Sequence, residues 1–156
     1  MTKIVKKFGA GLVLMHSRGT PETMRTLSHY GNIVTDVMTE LCESIRIATD
    51  AGIDREQIVV DPGLGFAKTT EQNLEIMKNL GALHGLELPV MLGPSRKSFI
   101  GQVTGREADE REFGTAACVA SAVMNGIQII RVHDVKAMRD VVRVTESIKR
   151  LSKSPS

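Results

Sequence analysis

The residues best equipped for chemistry in this chain come directly after short apolar runs. Leu12-Val13-Leu14-Met15 runs into His16-Ser17-Arg18-Gly19, and Ile58-Val59-Val60 into Asp61-Pro62-Gly63-Leu64-Gly65-Phe66-Ala67-Lys68-Thr69. Val90-Met91-Leu92-Gly93 leads to Pro94-Ser95-Arg96-Lys97-Ser98, and the run ending at Ile130 leads to Arg131-Val132-His133-Asp134. A carboxylate such as Asp61 can accept two parallel hydrogen bonds from a flat N–H donor group. Lys97 and Arg131 only donate, so they suit anionic oxygens, and Arg grips phosphate bidentately. His133 can donate as imidazolium or as a neutral tautomer. An anionic ligand carrying a flat hydrogen-bonding group would suit this set.

Each residue also has a plainer reading. Asp61 before Pro-Gly can simply open a turn. Gly63 and Gly65 form a lone G-x-G, and no third glycine completes a dinucleotide fingerprint. Arg96 and Lys97 can be a solvated loop pair, and His133 and especially His16 can be satisfied tip histidines. Asp134 reads as a helix cap, and His29 and His84 carry no role. The shared location at four successive run ends is what raises the group above its members.

The elements that would position them follow from pattern. The runs are near-continuous rather than alternating, as in parallel strands covered on both faces. They start at residues 12, 58, 90 and 127, so 46, 32 and 37 residues separate them, room for a helix and two loops each time. Val34, Val37, Met38, Leu41, Ile45 and Ala48 give one helical apolar face. Leu74, Met77, Leu80 and Leu83 give another, opened by a capping box at Thr69-Thr70-Glu71-Gln72. Thr20-Pro21 reads as a cap and a first helical residue. Gly114 to Asn125 is a small-residue helix stopped by Gly126. A last helix places Met138, Val141, Val142, Ile148 and Leu151 toward the core, with Asp134 as its cap, and Ser152 to Ser156 frays. Phe99 to Phe113 reads as an exposed or partly helical excursion. Four βα units predict either a small doubly wound sheet or part of a (β/α)8 barrel. With 156 residues the chain can supply only about half of a ~250-residue barrel.

Composition narrows the function classes. The 20 Lys and Arg nearly balance 18 Asp and Glu, too small a surplus to argue for nucleic acid. Without Trp, and with 4 Phe and 1 Tyr, little is left for a base-stacking surface. No apolar run approaches the ~18 residues of a membrane span. Lys3, Lys6 and Lys7 precede no apolar stretch of signal length. Cys42 and Cys118 match no zinc or redox spacing and read as buried thiols in a reducing, cytoplasmic setting.

Four phrases, LVLMHSRGTPETM, VVDPGLGFAKTTEQNLEIM, LPVMLGPSRKSFIG and IIRVHDV, in this order closely resemble the second half of dihydropteroate synthase. The likeness runs from about Gly9 to Ile148, and DPGxGF, SRKSF and RVHDV are specific together where one alone is not. It implies an α/β chain of four consecutive βα units, the second half of a (β/α)8 TIM barrel. Residues 1–156 would then be one pterin-binding half-barrel. The implied reaction joins 6-hydroxymethyl-7,8-dihydropterin diphosphate to p-aminobenzoate, giving 7,8-dihydropteroate and diphosphate. By the same resemblance Asp61 corresponds to the carboxylate that binds the pterin, and Lys97 to a lysine touching pterin near aminobenzoate. Arg131 and His133 match the pair at the diphosphate pocket, and Lys97, Arg131 and His133 take the catalytic part. Ser95 and Phe66 match aminobenzoate positions, and a helix N-terminus after Ser95 would favour that ligand's carboxylate.

The resemblance also implies Mg2+ as cofactor, although its protein ligand and the rest of the pterin pocket have no counterpart here. Ala67, Pro94 and Ser17 stand where the family commonly has other residues. The chain alone is therefore expected to be inactive, with exposed strand edges that a homodimer or a front-half chain would cover. Three alternatives stand beside this reading: a non-catalytic dimerisation module, another pterin-binding barrel such as a methyltetrahydrofolate-dependent methyltransferase, and a generic phosphate-binding domain. Oligomerisation without saturable pterin binding would single out the first.

Overall fold

The computed structural model describes residues 2–20 and 22–151. The expected first helical residue Pro21 and the expected frayed tail at 152–156 lie outside the described residues. In chain order the elements are α1 (Thr2–Phe8), β1 (Leu12–Met15), α2 (Ile33–Asp50), β2 (Ile58–Asp61), α3 (Thr70–Lys78), β3 (Met91–Leu92), α4 (Ser98–Thr104), α5 (Glu112–Met124), β4 (Ile129–Ile130) and α6 (Val135–Leu151).

All four apolar runs become parallel strands. β1 pairs with β2 from Leu12↔Ile58 to Met15↔Asp61, and β3 pairs with β4 at Met91↔Ile129 and Leu92↔Ile130. A single parallel bridge, Val60↔Val90, joins the two ladders, so the strands lie in sequence order. The ladders reach past the strands into the loops that follow them. His16 N donates to the Asp61 carbonyl (2.9 Å) and Arg131 N to the Leu92 carbonyl (2.9 Å), which fixes where those loops start.

The helices cover one face of this sheet. Leu12, Ile58, Val60, Val90 and Leu92 share a core with Val37, Leu41, Ile45, Ile76 and Leu80. The opposite face, carrying Val13, Val59, Met91 and Ile129, is not closed among the described residues, and Val13 is 45% exposed. The expectation of strands covered on both faces is therefore corrected: an unbroken apolar run does not distinguish a covered face from one with no facing element.

Caps set several boundaries. Asn32 accepts from Thr35 N (3.0 Å) at the start of α2. The predicted Thr69 box is formed in both directions, Gln72 N to Thr69 Oγ1 and Thr69 N to Gln72 Oε1. Asp134 Oδ1 takes Ala137 N (3.1 Å) at the start of α6. Gly126, at φ 78°, ends α5 with Ile127 N returning to the Ala122 carbonyl (3.0 Å), a left-handed stop.

Other expectations are revised. The helix through Leu74 ends at Lys78, and a 3-10 segment carries Leu80–Leu86. A spacing of three is that tighter helix's own period, so Leu80, Leu83 and Leu86 are buried together while Leu74 is exposed. The excursion from Phe99 begins as α4 and buries Phe99 and Ile100. α1 has no counterpart among the sequence expectations, because seven residues give too short a periodic signal. In α6, Met138 is buried but Ile148 and Leu151 are exposed. Cys42 is exposed rather than buried, while Cys118 is half-buried and its thiol pKa is pushed up to about 11 by burial.

Candidate active site

Asp61 is the last residue of β2 and is only 4% exposed. Its Oδ1 accepts from Gly63 N (2.8 Å), so the turn reading of this residue is correct as far as it goes. Among the described residues Oδ2 accepts no hydrogen bond. Burial pushes the carboxyl pKa up, opposed by the Gly63 N–H and by the charges of Arg131, Lys97 and Lys68. Gly63 is required here: φ is 68°, and a Cβ would overlap the His16 carbonyl oxygen. The turn can thus lie directly against the first strand tip.

The glycine loop that follows is pinned from two sides. Gly65 N donates to Oδ1 of buried Asn73 (2.7 Å), whose Nδ2 donates to the Thr69 carbonyl (2.6 Å). Lys68 Nζ donates to the carbonyls of Gly63 and Phe66, both at 3.0 Å. In the sequence Lys68 stands only as part of the loop, with no role assigned to it. The available signal was a lysine at the end of a glycine-rich turn whose carbonyls needed donors.

Lys97 reaches toward the same loop, with Nζ 4.2 Å from the Phe66 ring centroid. Burial, and the neighbouring Arg131 charge, hold its pKa below the usual lysine range, with Asp61 opposing. Arg96 takes a left-handed φ of 57°, its N–H bound to Thr115 Oγ1 (3.1 Å) and its carbonyl to Arg111 Nη1 (3.1 Å). Lys97 N closes the turn on the Pro94 carbonyl (3.2 Å). α4 starts at Ser98 with Lys97 as its N-cap. The expected helix after Ser95 is thus present, with the left-handed Arg96 and the capping Lys97 standing between Ser95 and its first turn.

Ser95 and His133 form one unit. Ser95 Oγ lies 2.8 Å from His133 Nδ1 and accepts from His133 N (3.3 Å). When the hydroxyl donates to Nδ1, the neutral ring carries its proton on Nε2 and can donate from there. Arg131 runs beside Gly93, where a Cβ would stand 2.8 Å from Nη2. The guanidinium holds its present position because residue 93 has no side chain to push it aside.

Phe66, Gly93, Ser95, Lys97, Arg131, Val132 and His133 line one cavity of about 360 Å³. Five of the six expected site residues thus share a wall. Asp61 lies deeper, within the electrostatic reach of Lys97 and Arg131. The first strand tip does not join them. His16 is buried against Glu40 (3.0 Å) and Lys68 (2.9 Å), and Arg18 pairs with Glu40. A larger hollow of about 570 Å³ between α5, β4 and α6 holds none of these residues.

No group of three or more His, Cys, Asp or Glu side chains among the described residues could hold a metal ion. The cavity wall offers cations, a hydroxyl and an imidazole, a donor set that does not fit Mg2+, which favours oxygen ligands. Likewise, no helix among the described residues is long and apolar enough to cross a membrane.

A family profile described as "Pterin binding enzyme" matches residues 1–133. The chain belongs to the pterin-binding enzyme family. It is 41% identical over 142 residues to the dihydropteroate synthase of Synechocystis, covering 90% of this chain and 49% of that protein. Among solved structures, the Yersinia pestis dihydropteroate synthase with a sulfonamide drug superimposes with a TM-score of 0.93 at 36% identity, covering 97% of this chain and 55% of that one. The Thermus thermophilus enzyme with 4-aminobenzoate gives a TM-score of 0.90 at 35% identity, covering 95% and 60%, and the same enzyme is known in complex with 6HMPPP. The chain spans about half the length of the curated relatives it matches.

Proposed function

We propose that the chain carries the pterin and diphosphate rim of a dihydropteroate-synthase-type transferase. The observation that carries this is the meeting of Phe66, Ser95, Lys97, Arg131 and His133 in one cavity beside buried Asp61. The Oδ2 edge of Asp61 receives the donor edge of a pterin, and burial makes those hydrogen bonds worth more than in water. Phe66 packs on a flat ring under the Lys97 ammonium. Arg131 and the His133 Nε2–H take the diphosphate oxygens. Lys97 and the Ser95 hydroxyl face p-aminobenzoate. The ligands named for the Thermus enzyme support this pair of substrates.

In the reaction the C–O bond from the pterin methylene to diphosphate breaks, and the electron pair leaves with the diphosphate. The aminobenzoate nitrogen then supplies its lone pair for the new C–N bond and loses a proton. Arg131 and His133 stabilise the departing charge. Asp61 and Phe66 hold the ring so that the methylene carbon meets nitrogen rather than water. Any Mg2+ on the diphosphate would rely on ligand oxygens or on groups outside these residues.

We further propose that the four strands are the last four of an eight-stranded barrel working in a reducing cytoplasm. The open sheet face and edges would be covered by the other four strands of that barrel. Residues 1–156 by themselves should then bind pterin diphosphate without forming dihydropteroate.

Calorimetry tests the binding claim. Asp61→Asn replaces an accepting oxygen with an amide that donates, removing a charge-assisted bond worth about 1.5–3 kcal/mol, or roughly ten- to hundredfold in Kd. Equal affinity of parent and variant for pterin diphosphate would remove Asp61 from the site.

A further inference from the structure

Behind the cavity wall runs a line of polar side chains that the proposed chemistry does not use. Lys68 Nζ lies 3.0 Å from the carbonyl oxygens of Gly63 and of Phe66, and 2.9 Å from His16 Nδ1. An ammonium has three protons, and here it meets three acceptors. For Nδ1 to accept, the neutral ring must carry its proton on Nε2, and that atom faces Glu40 Oε2 at 3.0 Å. Glu40 also takes the Arg18 guanidinium, which stacks 3.8 Å from the Tyr30 ring centroid. The line ties α2, the first strand tip and the glycine loop together.

The loop depends on this support. Gly63, Gly65 and Ala67 all have positive φ, at 68°, 80° and 50°. Its own backbone supplies one turn bond, Phe66 N to the Gly63 carbonyl (3.1 Å). Without the ammonium, the Phe66 carbonyl and the His16 ring nitrogen lose their donor, the Gly63 carbonyl keeps only the Phe66 N–H, and the loop's Phe66 end loses its side-chain anchor.

We propose that Lys68, held by His16, is a positioning residue that fixes the Gly63–Phe66 loop so that Asp61 and Phe66 present the geometry a pterin needs. This rests on the pterin reading of Asp61, and Lys68 itself touches no ligand. The charge states agree with the geometry. Burial and the Lys68 charge lower the His16 pKa to about 4, so its ring is neutral at neutral pH. Burial lowers the Lys68 pKa to about 7; Asp61 and Glu40 raise it, while Arg18 and Lys97 lower it further. Above that pH the amine has two protons for three acceptors, and the loop is held less firmly.

The experiment is calorimetric titration with a dihydropterin diphosphate between about pH 6 and pH 9, for the parent, Lys68→Met, Lys68→Arg and Asp61→Asn. Near pH 6 Lys68→Met should bind about tenfold more weakly than the parent, the scale of one lost charged hydrogen bond. The parent's advantage over Lys68→Met should shrink as pH rises through about 7. The ligand's own titration cancels in that ratio. Lys68→Arg should recover part of the affinity without the pH step. If Lys68→Met binds like the parent across the range while Asp61→Asn binds roughly ten- to hundredfold more weakly, the positioning role is overturned and the pterin reading stands. If Asp61→Asn binds like the parent, the pterin reading itself falls. Should Lys68→Met fail to fold, the parent decides: backbone amide shifts of residues 63–66 must titrate with a midpoint near 7, and their failure to do so overturns the proposal.

Discussion

Gly93→Ala offers a way to move one cation without touching its charge. The added Cβ at position 93 would stand 2.8 Å from Arg131 Nη2, 3.3 Å from Cζ and 3.4 Å from Nε. Ordinary contact begins at 3.4 Å, so the guanidinium must withdraw by about 0.6 Å. A phosphate bond of about 2.9 Å would then stretch to roughly 3.5 Å, at the limit of hydrogen bonding. The loss should be about 1.5–3 kcal/mol for a charge-assisted bond, or roughly ten- to hundredfold in Kd for a diphosphate ligand. The fold should barely respond: φ at Gly93 is not left-handed, and the obstacle is the far end of a flexible side chain. Calorimetry with two ligands, a pterin diphosphate and the same pterin without phosphate, isolates the effect. The first affinity should fall while the second holds. Equal losses on both ligands, or no loss on the diphosphate, would refute the assignment of Arg131 to the charged tail.

Two stability predictions follow from the loop and the first strand tip. Gly63→Ala forces a side chain into a left-handed residue against the backbone carbonyl of His16, which cannot rotate away; left-handed strain of roughly 1–2 kcal/mol plus that overlap should lower the urea midpoint by more than Gly93→Ala does. His16 has a folded pKa of about 4 against an ordinary 6.5, so the unfolded chain binds the proton more readily. Stability should be fully present above pH 6.5 and be lost as pH falls toward 4, by up to about 3 kcal/mol. The melting temperature of His16→Gln should decline less over that interval, and an equal decline in both proteins would contradict the buried neutral ring.

How legible this was in the sequence depended on the range of the interactions involved. The strands could be placed because each apolar run ends at a polar residue, and ladder bonds such as Arg131 N to Leu92 O carry those ends into the site. The Thr69 and Asp134 caps were legible because they act over three residues. Leu74 was misplaced because its spacing of three fits both an α-helical face and the 3-10 turn that follows. The Ser95–His133 pair, the passage of Arg131 over Gly93 and the Lys68–His16–Glu40 line join residues far apart in sequence, so no local pattern records them. An open face follows from having only half of a barrel's strands, whereas which of Leu12 and Val13 lies on it is decided by where the helices pack.

The central claim is that the tips of β2, β3 and β4 form one ligand site, and a titration of the isotopically labelled chain with dihydropterin diphosphate followed by amide chemical shifts tests it most directly. Saturable shifts should cluster at Asp61–Phe66, Gly93–Lys97 and Arg131–His133 and share a single dissociation constant. Shifts confined to one of these segments, scattered over the surface, or displaced to the hollow between α5, β4 and α6 would contradict it.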